Sequence, residues 1–327
     1  MSHYRSSESE FAPPPDARYT AGADAFAAWR EELDSGSPPP QFELGQGFEG
    51  VNVGPGVVTL FGGGPGAGKT ALVSQLMTDA LRIDPNLRLL IANVEMPPSA
   101  LLDRQLARIS GVDLGTVRGR VFDEQHGERI EAVRPVLEDV VNRTAFLRPP
   151  FDLENIARSV DAEDAGVVVL DYLQRIRPPG THGDSRGSVA ATMDYLRRFA
   201  DAGMAVVAVA AVARAKNDRG SSYDGLNLAS FRESSEIEYG ADDAFILAGK
   251  PGSPDRVLKH LKSRNGEPRD IPLRFEGAYQ SFRAPGVGMH APTAKTVELG
   301  DVDGLAERFE VAEPASDADE GGPCDVE

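Results

Sequence analysis

The fold of this chain follows from one stretch, Gly56-Val57-Val58-Thr59-Leu60-Phe61-Gly62-Gly63-Gly64-Pro65-Gly66-Ala67-Gly68-Lys69-Thr70. Its apolar first part predicts a short buried strand, and the apolar spacing that begins at Lys69 predicts a helix. Between them, residues 63–70 match G-x-x-x-x-G-K-[ST], the pattern of a phosphate-binding loop. A glycine-rich turn that binds nothing is the alternative, but the order of strand, loop and helix favours a nucleotide site.

The loop suits a polyphosphate because glycines let backbone N–H groups approach a bulky anion. The following helix adds unpaired N–H groups and a favourable dipole at its N-terminus. The predicted nucleotide-binding residues are Gly63, Gly64, Pro65, Gly66, Ala67, Gly68, Lys69, Thr70 and Ala71. We expect Lys69 to reach the β- and γ-phosphates and the Thr70 hydroxyl to ligate Mg²⁺. The pattern therefore predicts that the chain binds ATP or GTP.

The composition restricts the class of protein. With 327 residues, the chain has room for one large α/β domain with extensions or for two small domains. No apolar run approaches the roughly 18 residues of a membrane span, and the first residues lack the apolar segment of a signal peptide. The one cysteine, Cys324, excludes an intrachain disulfide. We therefore expect a cytoplasmic protein without a membrane partner.

The net charge of −17 is concentrated at the two ends of the chain. Residues 1–50 carry 3 basic and 9 acidic side chains, and residues 298–327 carry 1 basic and 11 acidic ones. The remaining residues 51–297 are close to neutral, with 30 basic and 31 acidic side chains. A neutral centre can still present a basic face locally, so the overall charge does not exclude a polyanionic partner.

Segments of different composition follow one another along the chain. We expect disorder in residues 1–20, an amphipathic helix in 21–35, a proline-rich spacer in 36–44, an ATPase domain in 45–283 and an acidic disordered tail in 284–327. In the central segment apolar strands alternate with helices, which predicts an α/β fold with a mainly parallel sheet and helices on both faces. One of these helices, over residues 127–141, is expected to break near Pro135.

The N-terminal helix carries Phe26, Trp29 and Leu33 on a single face. Such an apolar stripe must be buried somewhere. Packing against the helix's own domain and packing against a neighbouring subunit are both open at this point.

Two acids stand directly after predicted strands, where the active-site residues of a parallel sheet lie. Asp171 follows the apolar run Gly166-Val167-Val168-Val169-Leu170, the place of a Walker B aspartate that holds the Mg²⁺ shell. Glu95 follows the strand over residues 87–94, where a carboxylate could orient and deprotonate the water that attacks the γ-phosphate. For each acid, the alternative role is to cap the next helix or loop.

Four further motifs follow the loop in order. They are Asn93-Val94-Glu95-Met96-Pro97 with Leu102-Asp103-Arg104-Gln105-Leu106-Ala107, Val169-Leu170-Asp171-Tyr172-Leu173-Gln174, Phe231-Arg232-Glu233-Ser234 with Ile237-Glu238 and Ala241-Asp242, and Lys262-Ser263-Arg264-Asn265-Gly266. Together with the loop they resemble the motor domain of replicative DnaB-type helicases over about residues 45–283. The resemblance implies a RecA-like P-loop NTPase fold, ATP and Mg²⁺ as cofactors, a homo-oligomeric ring of six subunits, and single-stranded nucleic acid, with DNA favoured, as partner.

The resemblance also assigns roles to residues far along the chain from the loop. It implies that Lys262 and Arg264 reach the neighbouring subunit's ATP site and act there in catalysis. A pair of exposed basic residues on an edge strand is the alternative.

The segment after the predicted strand over residues 205–212 faces the ring channel in proteins of this kind. Arg214, Lys216 and Arg219 are therefore the predicted contacts to nucleic-acid phosphates. Neighbouring acids dilute the charge, so an ordinary solvated loop is the alternative. Ala211 stands where the family usually has a glutamine that senses the γ-phosphate and relays it to the DNA loops.

The leading function is ATP-dependent translocation or unwinding on nucleic acid. The alternative is an ATP-switched assembly or regulatory module that has the same fold and does not unwind. Glu95, Arg264 and the basic loop favour the motor, whereas Ala211 favours the alternative.

Overall fold

The computed structural model describes residues 19–180, 185–212, 215–217, 220–222, 227–231, 240–250 and 252–286. The helices are α1 (Gly22–Ser35), α2 (Lys69–Ile83), α3 (Pro98–Ser110), α4 (Leu114–Gly119), α5 (Glu124–Asn142), α6 (Leu153–Glu163) and α7 (Ser185–Asp201). The strands are β1 (Val58–Gly63), β2 (Leu89–Asn93), β3 (Thr144–Phe146), β4 (Val167–Asp171), β5 (Ala205–Val209), β6 (Ala215–Asn217), β7 (Gly220–Ser222), β8 (Asp243–Ala248), β9 (Asp255–Ser263), β10 (Ile271–Glu276) and β11 (Ser281–Arg283). Disorder was expected in residues 1–20 and 284–327. Of these, residues 1–18 and 287–327 lie outside the described ranges.

Nine of the described strands form one sheet in the order β11-β10-β9-β8-β1-β5-β4-β2-β3. The strands from β8 to β3 are parallel, and β9, β10 and β11 extend the sheet as an antiparallel edge. The central strand β1 is buried at every position. This arrangement confirms the predicted α/β fold with a mainly parallel sheet.

The two faces of the sheet carry two separate apolar cores. One face packs against α6 and α7 through Ile156, Met193 and Leu196. The other packs against α2 through Leu72 and against α5 through Val140. Because helices cover both faces, the central strands are continuous apolar runs without alternation. The carboxyl ends of the parallel strands then meet at one edge of the sheet, which is where the candidate site lies.

The helix α5 runs without interruption through Pro135, so the expected break there is wrong. Proline removes the N–H that would bond to the carbonyl of Glu131, four residues earlier. Pro135 and Glu131 are both exposed, so water can satisfy that carbonyl and the helix continues.

None of the helices in the described ranges is long and apolar enough to cross a membrane.

The helix α1 forms where it was predicted, and it has no buried residue. Its apolar face is open, with Phe26 58%, Trp29 53% and Leu33 59% exposed. Packing of this face on its own domain is therefore not observed. The helix ends at Ser35, and Gly36 follows it with a φ of 70°. The proline-rich spacer was expected to extend to residue 44, but Leu44 is already buried in the core of the domain.

Candidate functional site

The phosphate loop connects β1 to α2, as its sequence predicts. Gly63 has room for no side chain, because a Cβ there would lie 2.8 Å from the carbonyl oxygen of Leu247. Gly68 precedes the helix with a φ of 102°, and a Cβ on it would lie 2.8 Å from the ring of Phe282. Both positions therefore require glycine, and the loop backbone is held close to β8 and to the β10–β11 hairpin.

The side chain of Lys69 folds back over the loop. Its ammonium group donates hydrogen bonds to the carbonyl oxygens of Gly63 at 2.9 Å and Gly64 at 3.1 Å. Burial lowers the pKa of Lys69, while the negative charges of Asp171 and Glu95 oppose that shift. A bound anion would also favour the charged ammonium form.

The predicted metal ligands Thr70 and Asp171 lie together. The Thr70 hydroxyl donates to Asp171 Oδ2 at 2.6 Å. Burial raises the pKa of Asp171, and the hydrogen bond from Thr70 opposes this shift. A hydroxyl and a carboxylate are oxygen ligands of the kind that Mg²⁺ takes alongside phosphate oxygens and water, so this pair fits a nucleotide-bound magnesium ion.

Glu95 lies at the carboxyl end of β2, beside the strand that ends at Asp171. Its backbone N–H donates to Asn93 Oδ1 at 3.0 Å, and the N–H of Met96 donates to the same oxygen at 2.8 Å. The Asn93 amide also donates to Asp171 Oδ2 at 2.9 Å. One buried side chain thus fixes the turn that carries Glu95 and the carboxylate of Asp171.

A cavity of about 480 Å³ opens at this edge of the sheet. Its walls include the loop residues Pro65, Gly66 and Gly68 to Ala71, the two acids Glu95 and Asp171, and Ala211 after β5. The structure therefore brings together the predicted phosphate loop, the predicted metal ligands and the predicted base. Phe275 and Gln280, from the β10–β11 hairpin, also line the cavity.

Arg104 also lines this cavity, and sequence reasoning missed it. Burial lowers the pKa of Arg104, the charge of Asp171 opposes the shift, and Arg118 adds to it. Within the described ranges its guanidinium forms no hydrogen bond or ion pair. Its spacing of three from the buried Leu101 on α3 was the available signal, because residues three apart on a helix share a face.

Sequence reasoning also missed the roles of Asn93 and Gln174. Gln174 Oε1 accepts the backbone N–H of Ala211 at 3.0 Å, and Gln174 Nε2 donates to the Ala211 carbonyl at 3.3 Å. The cavity wall at Ala211 is therefore held to the segment that follows β4. Asn93 is the last residue of β2 and Gln174 lies three residues after β4, and an amide side chain at such a place is a weak signal, so neither role could be inferred from spacing.

Lys262 and Arg264 lie at the end of the sheet opposite to the phosphate loop, where the parallel strands begin. The strand β9 is antiparallel to β8, so it ends where β1 and β8 begin. The strand β1 extends for six residues toward the loop, a length of about 17 Å at 3.3 Å per residue. The structure does not bring these two basic residues to the chain's own phosphate loop.

Two of the predicted nucleic-acid contacts, Arg214 and Arg219, lie outside the described residues. The backbone of Lys216 lies in β6, which pairs with β7 in a small antiparallel sheet. The motif residues 232–239 are also outside the described ranges.

Residues 43–284 match the family model described as the DnaB-like helicase C terminal domain. Over 232 residues, the chain is 26% identical to the replicative DNA helicase DnaB of Pasteurella multocida (strain Pm70), with 67% of this chain and 49% of that protein covered. Over 241 residues, it is 24% identical to the replicative DNA helicase DnaB of Buchnera aphidicola subsp. Schizaphis graminum (strain Sg), with 70% and 51% covered. The chain thus spans about half the length of these relatives.

Two solved structures have the same fold. The ATPase domain of G40P superposes with a TM-score of 0.69 at 17% identity, over 81% of this chain and 99% of that one. A DnaB-like replicative helicase, described with its interactions with primase, superposes with a TM-score of 0.65 at 17% identity, over 82% and 68%. These likenesses identify the fold as RecA-like. Since the family model covers well over half of the sequence, this chain belongs to the DnaB-like helicase C-terminal domain family.

Proposed function

We propose that this chain is an ATP-hydrolysing motor domain that acts on single-stranded nucleic acid, with DNA as the favoured partner. One observation carries the proposal: the phosphate loop, the Thr70–Asp171 pair and Glu95 line a single cavity. Transfer of a phosphoryl group to water requires a phosphate cradle, a metal and a group that positions the water. The cavity contains residues suited to each of these tasks.

The chain's own residues bind and orient the nucleotide. The loop N–H groups and the N-terminus of α2 bind the phosphates. Lys69 exchanges the carbonyl oxygens of Gly63 and Gly64 for charged phosphate oxygens, which are stronger acceptors. Thr70 and Asp171 would hold Mg²⁺, which would neutralise negative charge on the phosphate that is transferred.

Glu95 acts as the base that takes a proton from the attacking water. The hydrogen bond from its backbone N–H to Asn93 keeps the residue at the cavity mouth. Arg104 adds a positive charge on the cavity wall, where it stabilises negative charge that develops during the transfer.

We further propose that the active unit is a homo-oligomeric ring, hexameric in its assembled form. The support is the separation of Arg264 from its own phosphate loop by the length of β1. A head-to-tail interface brings one edge of a subunit against the opposite edge of the next, and its repetition forms a ring when the rotation between subunits closes. Arg264 and Lys262 would then complete the site of the neighbouring subunit. An arginine in this position stabilises transition-state charge.

The relatives that match this chain are named replicative DNA helicases, which favours DNA as the partner and replication as the process. A second function, an ATP-switched assembly or regulatory module without unwinding activity, is favoured by Ala211. An alanine presents no polar side-chain atom to the cavity, and its backbone is held by Gln174.

The test is an ATPase assay paired with a strand-separation assay on a forked DNA duplex. The proposal expects ATP hydrolysis and ATP-dependent strand separation, both abolished by Lys69→Ala. Hydrolysis without strand separation or movement along DNA would support the regulatory module. Absence of hydrolysis by an assembled protein would overturn both functions.

A further inference from the structure

The buried carboxylate of Asp242 lies beside Arg264, and it is 3% exposed. Its oxygen Oδ1 forms an ion pair with Arg264, with Nη1 2.7 Å away. Arg264 is also tied through its backbone, because its N–H donates to the Asp242 carbonyl at 2.9 Å. Arg264 is therefore attached to the same residue at two points.

The other oxygen, Oδ2, is held from the protein interior. It accepts the backbone N–H of Val58, the first residue of β1, at 2.8 Å. It also accepts Arg197 Nη1 at 2.7 Å. Arg197 is anchored in turn by its bond to the Gly56 carbonyl at 2.6 Å. The carboxylate therefore has one fixed orientation, with Oδ1 directed at Arg264.

We propose that Asp242 is a positioning residue that presents the Arg264 guanidinium to the nucleotide of the neighbouring subunit. The side chain of Arg264 is 51% exposed, and among the described residues Asp242 is the acidic side chain that it pairs with. The exposed part of the guanidinium is therefore available to an anion. A fixed guanidinium loses less conformational entropy when it meets a phosphate, and a misplacement of about 1 Å can cost about 10²-fold in rate.

The hydrogen bond between Val58 and Asp242 connects two nucleotide sites. The Val58 N–H that holds Asp242 begins β1, and β1 ends at the chain's own phosphate loop. The residue that serves the next subunit's ATP is therefore attached to the strand that carries this subunit's loop. This inference depends on the shared active site proposed above, and its test separates the two ideas.

The main variant is Asp242→Asn, which preserves shape. Val58 and Arg197 both donate to one side of the group, so the amide oxygen must face them. The amide NH₂ then faces Arg264, and the ion pair is lost. We expect kcat for ATP to fall about 10²-fold, while KM and nucleotide affinity stay within about two-fold, since the chain's own loop is intact.

The matched control is Asp243→Asn, which makes the same change in the neighbouring buried carboxylate, bonded to His260 and Asn52, and leaves the Asp242–Arg264 ion pair in place. It should lower the melting temperature as Asp242→Asn does, and it should keep kcat within about two-fold of the unchanged protein. If Asp242→Asn does not fold, Asp242→Glu keeps the charge and moves the carboxylate by about 1.5 Å, one C–C bond. The same loss of kcat is expected from it.

Mixing experiments show whether the defect lies in the part of the site with Glu95, from one subunit, or in the part with Arg264, from the next. Asp242→Asn protein mixed with Glu95→Gln protein should regain activity, because some interfaces combine an intact Glu95 with an intact Asp242–Arg264 pair. Asp242→Asn mixed with Arg264→Ala should regain none, because both lack the same half.

The experiments distinguish a failure of the shared site from a failure of the role proposed for Asp242. If Arg264→Ala is fully active, the shared site and the role of Asp242 both fall. If Arg264→Ala is inactive and Asp242→Asn keeps normal kcat, or loses it in a way that Glu95→Gln does not complement, only the role of Asp242 is overturned.

Discussion

Asn93 donates its side-chain N–H to Asp171 Oδ2 at 2.9 Å, and this bond joins the ends of two neighbouring strands. The two residues are register partners of β2 and β4. The other end of the same amide accepts the N–H groups of Glu95 and Met96. The candidate base and the candidate metal ligand thus share one support, which lies in the buried layer beneath the cavity.

Asn93→Ala should lower kcat, because it frees the turn that carries Glu95 and removes a donor to Asp171. We expect a fall of about 10–100-fold in kcat, a higher Mg²⁺ requirement, and a loss of roughly 1–3 kcal/mol in the free energy of unfolding. Steady-state ATPase assays across a Mg²⁺ titration measure both kinetic effects. Asn155→Ala is the control, since Asn155 bonds to two backbone carbonyls outside the site. Equal kinetic losses in the two variants would contradict a role for Asn93 at the site.

Glu95→Gln should abolish turnover and leave nucleotide binding intact. Glutamine keeps the size of the side chain but cannot take a proton, so kcat should fall by about 10²–10⁴-fold. Equilibrium binding of a fluorescent ATP analogue should be unchanged. Lys69→Ala provides the contrast, because it should weaken binding as well. Normal turnover in Glu95→Gln would remove Glu95 from the mechanism.

Ala211 predicts a weak response to DNA. The wall of the cavity at this position has no polar side chain, so basal ATPase should be measurable and single-stranded DNA should stimulate it only weakly. The measurement is the ATPase rate with and without a long oligonucleotide. Ala211→Gln should increase the stimulation if the missing amide is the cause. Strong stimulation of the unchanged protein, together with strand separation, would mean that another residue carries the relay.

Deletion of residues 298–327 should strengthen nucleic-acid binding without destabilising the domain. The segment carries 1 basic and 11 acidic side chains, so it competes with phosphate for basic surface. Melting temperature should be nearly unchanged, and affinity for single-stranded DNA at low salt should rise. An unchanged affinity at low salt would assign the acidic segment another task.

Arg264→Ala should bind ATP normally and hydrolyse it poorly, because the guanidinium is absent from the neighbour's site. Arginine fingers contribute about 10³–10⁵ in rate. Mixing this protein with Glu95→Gln protein should restore part of the activity at interfaces that combine an intact Glu95 with an intact Arg264. Hetero-oligomers that form and remain inactive, or a monomer that hydrolyses at the full rate, would exclude a shared site.

The phosphate loop and its place between β1 and α2 could be predicted from sequence, because glycine spacing and apolar runs are local properties. The proximity of Asp171, Glu95 and the loop could also be predicted, since the carboxyl ends of parallel strands share one edge. The break expected at Pro135 was wrong: proline removes one backbone hydrogen bond, but Glu131 is exposed, so water can satisfy its carbonyl and the helix continues.

Contacts between residues far apart in the chain were decided only by the tertiary structure. Asp242 meets Val58 across 184 residues, and Asn93 meets Asp171 across 78. No periodicity encodes such pairs, because strand order and register place them, and these depend on the packing of the whole sheet. The sequence by itself therefore determined the chemistry of the loop and of the strand ends. The packed sheet decided which side chains support Glu95 and Arg264, and it held Arg264 at the edge opposite the chain's own phosphate loop.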